Sequence, residues 1–118
     1  MKVINRIKDN EQFAITVKKG EMIKNSSYLI HFLNNELECT RVGISVSKKV
    51  GNAVTRNRIK RQVRAMCDSL INYSSHTFDI VIVVRKEFLD ISFENNKENL
   101  NLLLSKIGFT KWKKEQKH

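Results

Sequence analysis

The sequence predicts an α+β fold, one domain in which helices pack on a single mixed sheet, and three observations carry that prediction. Arg41 to Ser47 alternates cleanly, with Val42, Ile44 and Val46 on one side and Arg41, Gly43, Ser45 and Ser47 on the other, the period-two signature of a strand. From Ala53 to about Tyr73 there is no Gly or Pro, and Ile59, Val63, Met66 and Leu70 recur at the spacing of one helical stripe. Phe78 to Val84 (FDIVIVV) is too uniformly apolar for a half-solvated strand and reads as central, covered on both faces. Strand, helix and strand in that order have βαβ spacing, for which a right-handed crossover is the base-rate expectation. The 118 residues suffice for one modest core and not for two, and a 41% hydrophobic content suits a globular domain.

The remaining elements follow in order. Met1 to Lys8 reads as a short basic, extended lead-in. Asp9 is placed to cap a helix, with Gln12 reaching back three residues later and Gly20 ending it. Phe13 and Val17 then share a helical face, with Ala14 beside them. Met22 to Lys24 reads as a short edge strand, Tyr28 to Leu33 as a longer one, and Asn34, Asn35 and Glu36 as a polar turn. Lys48 to Gly51 connects the alternating strand to the long helix, for which Asn52 is a good N-cap. Ser92 caps a last helix striped by Leu100, Leu103, Leu104 and Ile107 and stopped by Gly108. Beyond it the tail from Lys111 is basic around Trp112 and is expected to fray past it.

Charge is the strongest functional signal. The chain nets +10, and the window from Cys39 to Cys67 holds eight basic residues and no acid. A composition rich in Lys, Asn and Ile could inflate lysine alone, yet four of the seven arginines fall between Arg56 and Arg64. On a helical wheel Asn57, Lys60, Arg61 and Arg64 oppose the apolar stripe, with Arg56 at their margin. Ordinary solvated helix faces interleave both signs, because like charges four residues apart repel. Here Arg56–Lys60 and Lys60–Arg64 repel with no acid among them, so the helix implies a polyanionic partner. Arginine's planar fork suits phosphate in particular.

Other classes of function find little support. No apolar run approaches a membrane span, and the polar N-terminus lacks a signal-peptide core, which points to the cytosol. Cys39 and Cys67 stand far apart with no CxxC pair and read as small buried hydrophobes. His31, His76 and His118 form no ligand cluster, and no Ser/His/Asp or Cys/His arrangement suggests a catalytic centre. Membrane docking by the basic helix is disfavoured because its apolar stripe is needed for the core. Helix-turn-helix DNA binding is disfavoured because the basic helix follows a strand. A general RNA- or DNA-binding module remains open on these grounds.

The run from Ser45 to Arg64, SVSKKVGNAVTRNRIKRQVR, closely resembles the signature of the bacterial ribonuclease P protein subunit, with Arg56-Asn57-Arg58 as that family's RNR motif. Phe13 to Gly20 is similar to its first helix, Arg41 to Ser47 to the strand before the motif, and Arg85-Lys86 to the basic pair after its last strand. The resemblance covers nearly the whole chain. It implies a single-domain αβββαβα sandwich over residues 1–118 with an unusual left-handed βαβ crossover, which displaces the base-rate expectation. It implies that catalysis resides in a large RNA, which removes the 5′ leader from precursor tRNA by metal-assisted phosphodiester hydrolysis. The Mg2+ is required by the holoenzyme and is not held by protein side chains alone.

The partners so implied are the ribonuclease P RNA subunit and the precursor tRNA leader, without DNA or membrane, and the free protein is expected to be a cytoplasmic monomer. The RNA-binding residues would be Lys48, Lys49, Asn52, Arg56, Asn57, Arg58, Lys60, Arg61 and Arg64, with Arg85 and Lys86 adding phosphate contacts. By the wheel Arg58 lies off the main basic face and is expected to cap or brace the fold. Phe13, Val17, His31 and Ser45 would line a leader cleft, where an aromatic can stack on an unpaired base. The chain departs from the family in three places. Val17 stands where a second aromatic is usual, His31 where Tyr is common, and Glu87 where Pro often follows the Arg-Lys pair.

Overall fold

The computed structural model describes residues 1–74 and 77–107; the expectations for His76, Gly108, the Trp112 tail and His118 lie outside the described residues. Its elements are α1 (Asn10–Lys19), β1 (Glu21–Lys24), β2 (Tyr28–Asn34), β3 (Arg41–Val46), α2 (Ala53–Leu70), β4 (Phe78–Val84) and α3 (Phe93–Ile107), with 3₁₀ turns at Val3–Asn5 and Lys86–Asp90. That is the αβββαβα order. The sheet runs β1-β2-β4-β3; β1 and β2 pair antiparallel, β2 and β4 likewise, and β3 lies parallel to β4. The apolar strand β4 is interior to the sheet, as its composition predicts.

Alternation divides the sheet into two faces. Tyr28, Ile30, Ile80, Ile82, Val84, Val42 and Val46 point to one of them. There they form the main core with Ile59, Val63, Met66 and Cys67 of α2 and Leu100, Leu103 and Leu104 of α3. Each fully buried Leu, Ile or Val contributes about 1.5–3 kcal/mol, so this layer dominates stability. Cys67 belongs to it, and burial pushes its thiol up to about 12, with Asp68 adding to the shift. Cys39, by contrast, is only partly covered. The other face carries the register rows Leu29–Val83–Ser45, His31–Val81–Gly43 and Leu33–Asp79–Arg41, and α1 packs across it against β2 and β4.

Local signals explain most boundaries. Asp9 caps α1 by accepting from the Glu11 N–H at 2.8 Å, Asn52 caps α2 by accepting from Thr55 at 2.9 Å, and the Ser92 hydroxyl accepts from Asn95 at 3.2 Å. Gly20 ends α1 for a reason other than left-handed backbone. Its φ is −75°, and a Cβ there would come within 2.5 Å of the Thr16 carbonyl oxygen and 2.6 Å of that of Phe32. Glycine is needed because the helix end meets β2 directly.

Three expectations are corrected. Helix α2 stops at Leu70, not near Tyr73: Ile71 turns extended to bury its side chain, and the Tyr73 carbonyl accepts from the Thr40 N–H at 2.8 Å. Strand β3 ends at Val46, because the Ser47 carbonyl closes a turn with the Val50 N–H. The Met1–Lys8 segment is no simple extended lead-in. It makes a 3₁₀ turn with Asn5 buried, then bridges in parallel to the outer edge of β3 at Arg6–Val42, with the Ile7 N–H donating to the Val42 carbonyl at 3.1 Å.

Candidate nucleic-acid interface

The core-facing stripe of α2 fixes where its other residues stand. Asn57, Arg58 and Arg61 are exposed, while Arg56, Lys60 and Arg64 are partly covered. Lys48 and Lys49 project from the turn that feeds the helix, anchored by Val50, which is 5% exposed. Among the described residues none of these cations pairs with a carboxylate. The part of the acid-free window from Lys48 to Arg64 therefore carries cations that no carboxylate compensates among the described residues.

Two arginines play parts other than those the wheel suggests. Arg58 makes no hydrogen bond or ion pair among the described residues; it lies along the groove between α2 and the start of α3, beside Phe88, Leu89 and Phe93. The brace is Arg56, whose Nε donates to the Gly51 carbonyl at 3.1 Å and ties the helix to its connecting turn. Arg41, part of the basic count, is not a free cation. Its Nε and terminal nitrogen donate to the two oxygens of Asp79 at 2.9 and 2.6 Å, and this forked bond raises the guanidinium pKa above its ordinary value. Asn35 Nδ2 donates to the same carboxylate at 2.8 Å.

The cleft residues gather on the α1 face of the sheet. The Phe13 ring lies over Gly43, where an added Cβ would meet two ring carbons at 3.0 Å. Thus the small residue on the outer face of β3 makes room for this ring. Val17 stands one turn further at the margin of α1 and is 38% exposed; the wholly buried residue of that helix is Thr16 instead. His31 is partly covered, and its Nδ1 is buried with no hydrogen-bond partner among the described residues. Burial lowers its pKa below the ordinary histidine value. Ser45 is partly exposed in the next row, level with Val83 and Leu29.

At the end of β4, Arg85 and Lys86 face different tasks. Lys86 is exposed. Arg85 donates to the Asn25 carbonyl at 2.9 Å and lies 3.6 Å from Glu87, so it secures the β1–β2 turn with its side chain partly exposed. That turn is held from below by buried Asn96, which accepts from the Ser27 hydroxyl at 2.7 Å and donates to the carbonyls of Phe88 and Ile91.

The sequence reading missed Arg6. It lines a notch at the β3 edge with Ile7, Phe13, Val42, Gly43, Ile44 and Arg64, which joins the cleft to the basic helix. The alternation of polar Arg6 with apolar Ile7 is the one local sign that this stretch pairs with a strand. Among the described residues there is no group of three His, Cys, Asp or Glu side chains able to hold a metal ion, and no helix long and apolar enough to cross a membrane.

The structure thus sets the Phe13 ring and its notch beside a cationic helix on one small α+β domain. Comparison with known proteins makes the class specific. A family model described as Ribonuclease P matches residues 1–108. The ribonuclease P protein component of Mesoplasma florum is 42% identical over 83% of this chain and 90% of its own length, and that of Oceanobacillus iheyensis 41% over 94% and 93%. The solved Staphylococcus aureus RNase P protein superposes with a TM-score of 0.78 at 35% identity, covering 89% of this chain and 96% of that one. The Thermotoga maritima protein gives 0.75 at 31% identity, covering 86% and 96%. The chain belongs to the ribonuclease P protein family.

Proposed function

We propose that this chain is the protein subunit of ribonuclease P, binding the catalytic RNA and the 5′ leader of precursor tRNA and so assisting endonucleolytic formation of the mature tRNA 5′ end. The observation that carries this reading is the α2 face. Its cations have no carboxylate partners among the described residues, although the chain pairs Arg41 with Asp79 elsewhere. Phosphate contacts position an RNA without reading its sequence, and Lys48, Lys49, Asn52, Arg56, Asn57, Arg58, Lys60, Arg61 and Arg64 supply donors for that role. Arg56 can serve only through the N–H groups left free by its bond to Gly51.

The leader would lie between α1 and the sheet, with Phe13 as its stacking surface and Val17, His31 and Ser45 around it. Arg85 and Lys86 would hold phosphates at the far end. Bond cleavage belongs on this reading to the RNA with its Mg2+; the protein contributes affinity and orientation, which lower the barrier by fixing the substrate. Its site of action would be the cytoplasm.

The test is cleavage of precursor tRNA by a bacterial ribonuclease P RNA at low Mg2+, with and without this protein. A gain in rate or affinity that grows with leader length is expected. A gain independent of the leader would discard the cleft assignment, and RNA binding with no gain would leave a general RNA-binding module.

A further inference from the structure

We infer that the notch at the outer edge of β3 is a seat for one phosphodiester of the single-stranded leader, gripped from opposite sides by Arg6 and Arg64. This rests on the leader-binding reading and names a residue outside the basic helix. Two arginines from segments far apart in sequence line the same notch of about 120 Å³, and its lining contains no acid. Neither arginine pairs with a carboxylate among the described residues. Their convergence is therefore unfavourable in the free protein and favourable once an anion sits between them.

The backbone adds a reason for the location. The N-terminal segment pairs with β3 only at Arg6–Val42 and then leaves it for α1. Main-chain groups of a strand alternate between its two edges, so Ile44 turns its N–H to the same edge as Val42, one step past the last bridge. An anion there meets two guanidinium forks and a strand-edge donor. Phe13 forms the wall toward the cleft, so a nucleotide stacked on that ring would carry its phosphate into the notch. Arg6 also reaches a neighbouring hollow with Lys8, Arg41 and Asp9. Asp9 is engaged there as the α1 cap and Arg41 by Asp79, so neither displaces the ligand.

The experiment measures affinity of the reconstituted RNA–protein holoenzyme for precursor tRNA whose leader phosphates are replaced one at a time by neutral methylphosphonates. Wild type should lose affinity on the order of tenfold at one leader position, the worth of a charge-assisted contact. Arg6→Gln, which keeps much of the aliphatic stem, should show a similar loss with unmodified leader and no further loss at that position. Leaderless tRNA should bind Arg6→Gln and wild type alike. Equal weakening for leaderless tRNA would move Arg6 to the RNA-subunit surface and overturn the proposal. So would no weakening at all, or a penalty at the same position that persists in Arg6→Gln. A wild-type holoenzyme whose affinity ignores the leader altogether would instead remove the leader-binding reading on which the seat depends.

Discussion

The Phe13 ring occupies the space that a side chain at Gly43 would need: a Cβ there would lie 3.0 Å from both Cδ2 and Cε2 of the ring and 3.5 Å from Ile7 Cβ. That contact couples β3 to α1 beside the notch that Phe13 lines with Arg6 and Arg64. Gly43→Ala is therefore expected to push the ring aside by a few tenths of an ångström. Overpacking of this kind costs about 1–3 kcal/mol, and leader-dependent affinity should fall with it. Denaturant unfolding and substrate titration on the same variant check both. A stability loss with unchanged leader dependence would mean that the ring is structural packing only.

Arg41 and Arg61 make a second contrast, since the chain uses one arginine inward and the other outward. The Asp79 side chain is 6% exposed and that of Arg41 20%. Removing Arg41 leaves a buried carboxylate held by Asn35 alone, which costs about 3 kcal/mol at the lower end of the range for broken buried pairs. Arg41→Ala should unfold at markedly lower denaturant with little change in RNA affinity per folded molecule. Arg61→Ala should do the reverse. Equal behaviour of the two variants would show that charge count alone governs both properties.

How much of this was legible in the sequence follows from the range of each interaction. The β3–α2–β4 unit could be read because its signals are local: alternation in Arg41–Val46, a stripe from Ile59 to Leu70, an apolar run at Phe78–Val84. The cationic surface could be read because a charge run shows in one dimension. The Arg41–Asp79 pair could not, for its partners are 38 residues apart, and an arginine's neighbours in space are invisible to a window. The docking of Arg6 on Val42 was hidden for the same reason. Arg58 could be read as lying off the main basic face, but the wheel gives a direction and not the neighbouring turn at Lys86–Asp90 that opens a groove there. Gly20 was recognised as a stop, but the crowding by Phe32 that demands it is tertiary.

Salt dependence tests whether the α2 surface is a phosphate-binding one. With about five phosphates neutralised, log K against log salt should slope near −3.5 to −4.5. Arg61→Ala combined with Arg64→Ala should weaken RNA binding and make the slope shallower by about 1.4–1.8. Melting temperature should stay nearly constant, because neither side chain pairs with an acid among the described residues, and removing like charges from one helix face relieves repulsion. A slope near zero for the wild type would refute a phosphate-dominated interface, and a large drop in melting temperature would make these side chains braces of the fold.

His31 provides a pH signature. Its Nδ1 is buried without a partner among the described residues, and burial holds its pKa below the ordinary value of 6.5. The unfolded chain therefore takes up the proton first as pH falls. Stability is fully present above about 6.5 and declines as pH drops through the window between that value and the folded-state pKa. Thermal unfolding from pH 7.5 to 5 should show this decline in the wild type. His31→Leu should flatten the part due to this residue. Because the comparison is between variants at each pH, the self-repulsion of a chain at +10 cancels. An unchanged profile in His31→Leu would mean that the imidazole finds a proton acceptor or water on folding, so that burial does not lower its pKa.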